Sequence, residues 1–265
     1  MIQYVMFTVT TAPGKWGEDV RCEILGIEFD NVTIDEARAR ALFFLDDETP
    51  DGGARLIVTP NAEIVMMCRR DAAAREAVRA ADLILPDGVG VGIASRILER
   101  PLRARMAGID FAEALLPALA ARGRRLFFLG AAPGVAEEAA RRAAARHAGL
   151  VICGTQDGYF TRDEDAAAAV RAVGADVVFV CLGAPKQELW MRAHAAATGA
   201  RLLVGLGGTL DVWAGRVRRA PTLWIRLGLE WLYRLLCQPR RLWRMLKLPV
   251  FLWTAWRAHR REKRQ

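Results

Sequence analysis

Asp87 stands at the end of the apolar run Leu83-Ile84-Leu85-Pro86 and is followed by Gly88-Val89-Gly90-Val91-Gly92. A carboxylate there can cap the helix that the glycine-rich turn opens, or it can take a proton from a hydroxyl brought to the strand end. Polar residues recur at comparable places. Thr59 and Asn61 flank Pro60 after Arg55-Leu56-Ile57-Val58, Gly130 opens a turn that runs to Gly134, and Tyr159 lies in Gly158-Tyr159-Phe160. Gly183 leads into Ala184-Pro185-Lys186-Gln187-Glu188, and Asp211 follows Gly207-Gly208-Thr209-Leu210. Lys186, Gln187 and Glu188 offer a cation, an amide and a carboxylate in succession, while the Gly130 turn suits a diphosphate at a helix N-terminus. Each has a plain explanation when taken singly: Asp87 is a helix cap, Asp211 a turn aspartate, and Lys186 to Glu188 a solvated helix start.

The elements that must carry these residues alternate along the chain. Cys22 to Phe29 reads as a strand, and Thr33-Ile34-Asp35-Glu36 opens a helix with a capping box, Thr33 as N-cap and Glu36 three positions on. Strand-like runs follow at residues 55–59, 82–86, 125–130, 150–154, 176–183 and 201–208. Helical runs begin near Asn61, after Asp87, at Pro133, and over residues 162–172 and 184–198. Apolar runs this continuous, separated by crossover helices, predict parallel strands covered on both faces. The expected fold class is α/β, a Rossmann-like open and mainly parallel sheet with helices on both sides. In such sheets ligands bind beyond the carboxyl ends of the strands, which is where the polar residues above fall.

Charge divides the chain unevenly. Residues 1–211 hold 24 basic and 28 acidic side chains, whereas residues 212–265 hold 14 basic and 2 acidic ones together with six of the eight tryptophans. Prolines at 221, 239 and 249 predict two or three amphipathic helices in that tail, with Arg234, Arg241 and Arg244 on the cationic side. The expected organisation is an unassigned leader over residues 1–21, an α/β domain over 22–220 and a basic, Trp-rich helical appendage over 221–265. Basic charge interleaved with tryptophan suits an anionic membrane surface, and no apolar run reaches the ~20 residues of a membrane span. A nucleic-acid partner is not expected, because the domain itself is slightly acidic. Five scattered cysteines without a C-x-x-C pair and three scattered histidines predict neither a disulfide framework nor a metal site.

In order along the chain, TPNAEIV, ADLILPDGVGV, FFLGAAPG, GYF, LGAPKQE, GGTLDVWAGRVRRAP and GLEWLYRLLCQPRRLWR resemble the bacterial WecG/TagA/CpsF glycosyltransferase family, over about residues 22–247. The resemblance implies an inverting, metal-independent transfer of a sugar from a UDP-sugar to a polyprenyl-diphosphate-linked saccharide, by a peripheral enzyme at the cytoplasmic face of the membrane. It implies roles as well. Asp87 would be the general base, Thr59 and Asn61 would lie near the acceptor or the transferred sugar, and Gln187 would contact sugar or phosphate. Tyr159 and Asp211 would face the nucleotide, while Arg234, Arg241 and Arg244 would reach the diphosphates. With no metal and no other cofactor expected, arginine would supply the positive charge, its fork being suited to phosphate oxygens. Donor sugar (ManNAc, its uronic acid or glucose), acceptor, linkage and oligomeric state stay open, a homo-oligomer among the possibilities. The competing expectation is a nucleotide-binding membrane adapter without catalytic activity.

Overall fold

A computed structural model of the chain describes residues 21–47, 53–237 and 247–264. The leader, apart from Arg21, lies outside them. The first element corrects the sequence expectation: residues 22–29 are not one strand but a hairpin, β1 (Arg21–Ile24) and β2 (Ile27–Asp30), paired antiparallel. Leu25 and Gly26 turn the chain with φ of 53° and 92°, the two positive values that a two-residue hairpin turn demands. A leucine in that conformation is uncommon; its side chain packs on the core, and Arg79 holds the tip by donating from Nε and Nη2 to the Gly26 carbonyl at 3.0 and 2.7 Å.

After α1 (Ile34–Asp46) come β3 (Arg55–Val58), α2 (Ala62–Cys68), α3 (Ala72–Arg79), β4 (Leu83–Ile84), α4 (Gly88–Ile97) and α5 (Gly108–Ala121). The series continues with β5 (Arg125–Gly130), α6 (Val135–Arg146), β6 (Val151–Gln156), α7 (Asp163–Ala172), β7 (Val177–Cys181), α8 (Lys186–Thr198), β8 (Leu202–Gly205) and α9 (Thr209–Trp213). The capping box forms: Thr33 Oγ1 accepts from the Glu36 amide at 3.3 Å, and Glu36 Oε2 accepts from the Thr33 amide at 2.8 Å. Pro133 does not open α6; it lies in the preceding turn, and left-handed Gly134 is the N-cap.

Six strands form one parallel sheet in the order β4-β3-β8-β7-β5-β6. Successive strand residues point to opposite faces, so Val178 and Val180 join the core under α2, α3, α7 and α8, whereas Val177 and Phe179 join the core under α1, α5, α6 and α9. In the latter Phe128 stacks on Phe179 at 5.9 Å and meets Trp213 at 5.6 Å. Edge strand β4 is blunted by the hairpin. Asp30, 3% exposed, accepts the Ile84 amide at 2.9 Å on Oδ2 and pairs with Arg40 at 2.9 Å on Oδ1, which occupies an edge amide that would otherwise be open to pairing.

The connections leaving β5 and β7 run in opposite directions across the sheet, and such a reversal opens a crevice at the carboxyl ends. The C-terminal part supplies α10 (Thr222–Arg226), α11 (Glu230–Cys237) and α12 (Lys247–Glu262). Pro249 sits in the first turn of α12, where its missing N–H costs nothing. α12 packs on α4 and α2. Phe251 and Ala255 are fully buried in the same core as the hairpin and β3, and Lys247–Glu63 (2.8 Å) and Lys263–Glu99 (2.7 Å) pin its two ends.

Candidate active site

A cavity of 680 Å³ opens at the carboxyl ends of β3, β4, β7 and β8, with the C-terminal helices forming its far wall. Each strand end delivers one part of its chemistry. After β3, Thr59 is buried and its hydroxyl donates to the Gly205 carbonyl at 3.0 Å. A carbonyl can only accept, so the hydroxyl proton is committed and Thr59 offers a ligand an acceptor. Asn61 is the N-cap of α2, its Oδ1 accepting from Glu63 and Ile64 amides at 2.9 and 3.2 Å. That leaves its Nδ2 hydrogens as donors for a ligand.

After β4, Asp87 occupies the N-cap position of α4 with extended backbone (φ −95°, ψ 139°), yet its side chain makes no capping hydrogen bond. Its amide is held by the Pro60 carbonyl at 3.2 Å, so the β3 and β4 loops are fixed to each other at the point where the carboxylate lines the cavity. α4 presses close beneath: a Cβ on Gly90 would come within 2.6 Å of Leu248 and 3.1 Å of Ala62. Glycine there lets α4 approach both α2 and α12 closely.

After β7 and β8, Gln187 closes the floor. It is 3% exposed, its Oε1 accepts the Gly207 amide at 2.9 Å, and its Nε2 donates to Glu188 at 3.1 Å. A Cβ on Gly205 would meet Gln187 Nε2 at 2.5 Å. Asp211, in the first turn of α9, also lines the cavity. Two cations complete the lining: Lys247 at the start of α12, and Arg105 from the loop before α5. Arg105 donates to the Ile225 carbonyl at 3.4 Å and has no carboxylate partner among the described residues. A proton acceptor, amide donors and cations thus share one cleft, the set that transfer from a phosphate-activated donor to a hydroxyl requires.

A glycosyl transferase model, described as the WecG/TagA/CpsF family, matches residues 22–265. The chain belongs to that family. Among its curated relatives is the N-acetylglucosaminyldiphosphoundecaprenol N-acetyl-beta-D-mannosaminyltransferase of Bacillus spizizenii, 40% identical over 205 residues, which are 77% of this chain and 79% of the relative. Enzymes of the same name from Staphylococcus aureus strains MRSA252 and NCTC 8325 are 31% identical over 244 residues, 92% of this chain and 95% of theirs. The chain therefore stands with hexosyltransferases, and the non-catalytic adapter that composition left open gives way.

Within this WecG/TagA/CpsF chain the site residues expected from sequence fall into three groups. Thr59, Asn61, Asp87, Gly183, Gln187 and Asp211 come together around the cavity. Tyr159, Lys186, Gly130 and Glu188 do not line it. Tyr159 is 75% exposed on the β6–α7 loop, held by an Asp157 side chain that accepts its amide at 2.8 Å. Beside it Lys186 donates to the Gly158 carbonyl at 3.2 Å and lies 4.1 Å over the Phe160 ring. Gly130 is required by packing, since a Cβ there would strike the Cys181 backbone of β7, and Glu188 is buried inside α8. In the third group, Arg234 lies on α11, whose Glu230 and Trp231 line the cavity, while Arg241 and Arg244 are outside the described residues.

Of the two cavity cations that sequence reasoning left out of the site, Lys247 and Arg105, Arg105 gave the weaker signal. It sits in Arg103-Ala104-Arg105-Met106, neither at a strand end nor in a periodic segment; its isolation from acidic residues in Pro101 to Gly108 was the available signal.

Proposed function

We propose that this protein transfers N-acetylmannosamine from its UDP derivative to the N-acetylglucosamine of an undecaprenyl-diphosphate-linked acceptor, with inversion and without a metal ion, in bacterial surface polysaccharide synthesis. The observation that carries this reading is the place of Asp87, which lines a 680 Å³ cavity at the strand ends together with Arg105 and Lys247. Nucleotide sugars of this type are α-linked and the relatives are named for a β-mannosaminyl product, so a single displacement with inversion connects the two.

In that displacement the acceptor hydroxyl attacks the anomeric carbon, its proton passes to Asp87, and the bond to the UDP oxygen breaks. Charge grows on the departing diphosphate, and Arg105 and Lys247, with the tail arginines Arg234, Arg241 and Arg244, neutralise it. Asn61 Nδ2 and Gln187 Nε2 donate to sugar or phosphate oxygens. The ledge of Tyr159, Phe160 and Lys186 beside the cavity takes the nucleotide, with Asp211 toward the ribose or base.

A lipid-linked acceptor would bring the enzyme to a membrane surface, and a UDP-sugar donor supports the cytoplasmic side. Among the described residues no helix is long and apolar enough to cross a bilayer. The outer face of α12 exposes Val250, Trp253 and Trp256, with Arg257 and Arg260 4.6 and 4.5 Å over the two indoles. Tryptophan and arginine interleaved in this way suit peripheral binding at headgroup depth on anionic lipid. The direct test incubates the purified protein with UDP-N-acetylmannosamine and a short-chain lipid diphosphate carrying N-acetylglucosamine, with EDTA present. A β-linked disaccharide-lipid by NMR is the expected product. No product, an α linkage, or dependence on added metal contradicts the reading.

A further inference from the structure

Lys186, Gln187 and Glu188 begin α8 and, about 100° apart around the helix, point three ways: to the Phe160 ring, to the cavity and into the core. The third is the unusual one. Glu188 is 1% exposed; its Oε1 accepts from Gln187 Nε2 at 3.1 Å, and its Oε2 has no hydrogen-bond partner. Burial pushes its carboxyl above the ordinary range, with no charged neighbour contributing. The titratable group facing it from α2 is Cys68, itself pushed up to about 11, by burial first and then by Glu188. A buried carboxyl with one oxygen unused is costly, and an apolar side chain would serve packing better.

What the carboxyl does is hold an amide. Its Oε1 accepts from the Nε2 end of Gln187, which leaves the Gln187 Oε1 end for the Gly207 amide, 2.9 Å away. Gln187 lies flat over Gly205, whose carbonyl takes the Thr59 hydroxyl at 3.0 Å. The chain Glu188–Gln187–Gly207, with Gly205–Thr59 beside it, therefore ties the ends of β7, β8 and β3 together. Gln187, Gly207 and Thr59 all line the cavity, while Glu188 stands behind them.

We propose that Glu188 is a positioning residue, which fixes the Gln187 amide so that its second Nε2 hydrogen and the Gly207 turn meet the transferred sugar in one geometry. The proposal rests on the glycosyl-transfer reading above, and its test separates the two. Glu188→Gln keeps a carbonyl acceptor for Gln187 and is expected to retain turnover within a few-fold. Glu188→Leu removes the acceptor and the unsatisfied oxygen together. It is expected to melt no lower than wild type while kcat falls about ten- to a hundredfold, more than KM for the donor changes, as a slightly misplaced contact produces. Independently of activity, the Gln187 side-chain amide protons, followed by ¹⁵N NMR, are expected to exchange slowly in wild type and Glu188→Gln and rapidly in Glu188→Leu. Rapid exchange already in wild type, unchanged turnover in Glu188→Leu, or equal losses of rate and melting temperature in both variants overturns the proposal. If the wild-type protein transfers no sugar, the functional reading fails and the amide exchange still decides the role of Glu188.

Discussion

Two aspartates begin neighbouring helices and behave differently. Asp71 opens α3 and its Oδ1 accepts the Ala74 amide at 3.1 Å; Asp87 opens α4 and its side chain caps nothing. Their sequence positions are equivalent, each a single acid before a helix, and the N-cap geometry is extended in both. What differs is the surroundings. α3 lies against α2, α8 and the hairpin, away from the cavity, whereas α4 starts at the cavity and is clamped by α12 through Leu248 and Phe251 at Gly90. The same residue type caps its helix in one place and lines the cavity in the other, which is why Asp87 is the residue proposed as the base.

Removing the clamp should break the comparison most severely. Truncation before Pro221 takes away α10 to α12, including the buried Phe251 and Ala255, and uncovers the apolar bed on α4 and α2. Transfer is expected to vanish, membrane binding to fall, and hydrogen exchange to quicken along α4 while α3 stays protected. Full activity with equal protection of both helices would show that the tail positions nothing. A smaller effect is expected from Arg105→Ala, about a hundredfold in turnover at unchanged melting temperature, the typical loss of one group that stabilises developing charge. An undiminished rate would remove Arg105 from the site. Smaller still, Asp71→Ala should cost about 1 kcal/mol of stability, the worth of an ordinary cap, and leave turnover alone; denaturant melts and the transfer assay together check both halves.

The sheet and most of the cavity were legible in the sequence because buried parallel strands read as unbroken apolar runs, and the polar residues that end them must lie on one rim. The capping box at Thr33 and Glu36 was legible for the same local reason. The hairpin was not: Leu25-Gly26 lacks the Asn or Asp that usually announces such a turn, and the Leu25 side chain, partly buried, packs on the core. Glu188 was read as a rim group because sequence adjacency hides the helical rotation that sends it inward. α12 shows a further limit. Its amphipathic pattern announced an apolar face but not what that face covers, and part of what looked like membrane-directed surface, Phe251 and Ala255, closes the protein's own core.

The claim that Asp87 is the base is tested most directly by turnover of Asp87→Asn. Asparagine has the same size and caps helices as well as aspartate, but it cannot take a proton at neutral pH. The variant is expected to melt with wild type, bind UDP with unchanged affinity, and lose on the order of 10²–10⁴ in kcat, the usual share of a general base. A folded, UDP-binding Asp87→Asn protein that turns over at near the wild-type rate would contradict the account and move the base to another carboxylate of the cavity, Asp211 first.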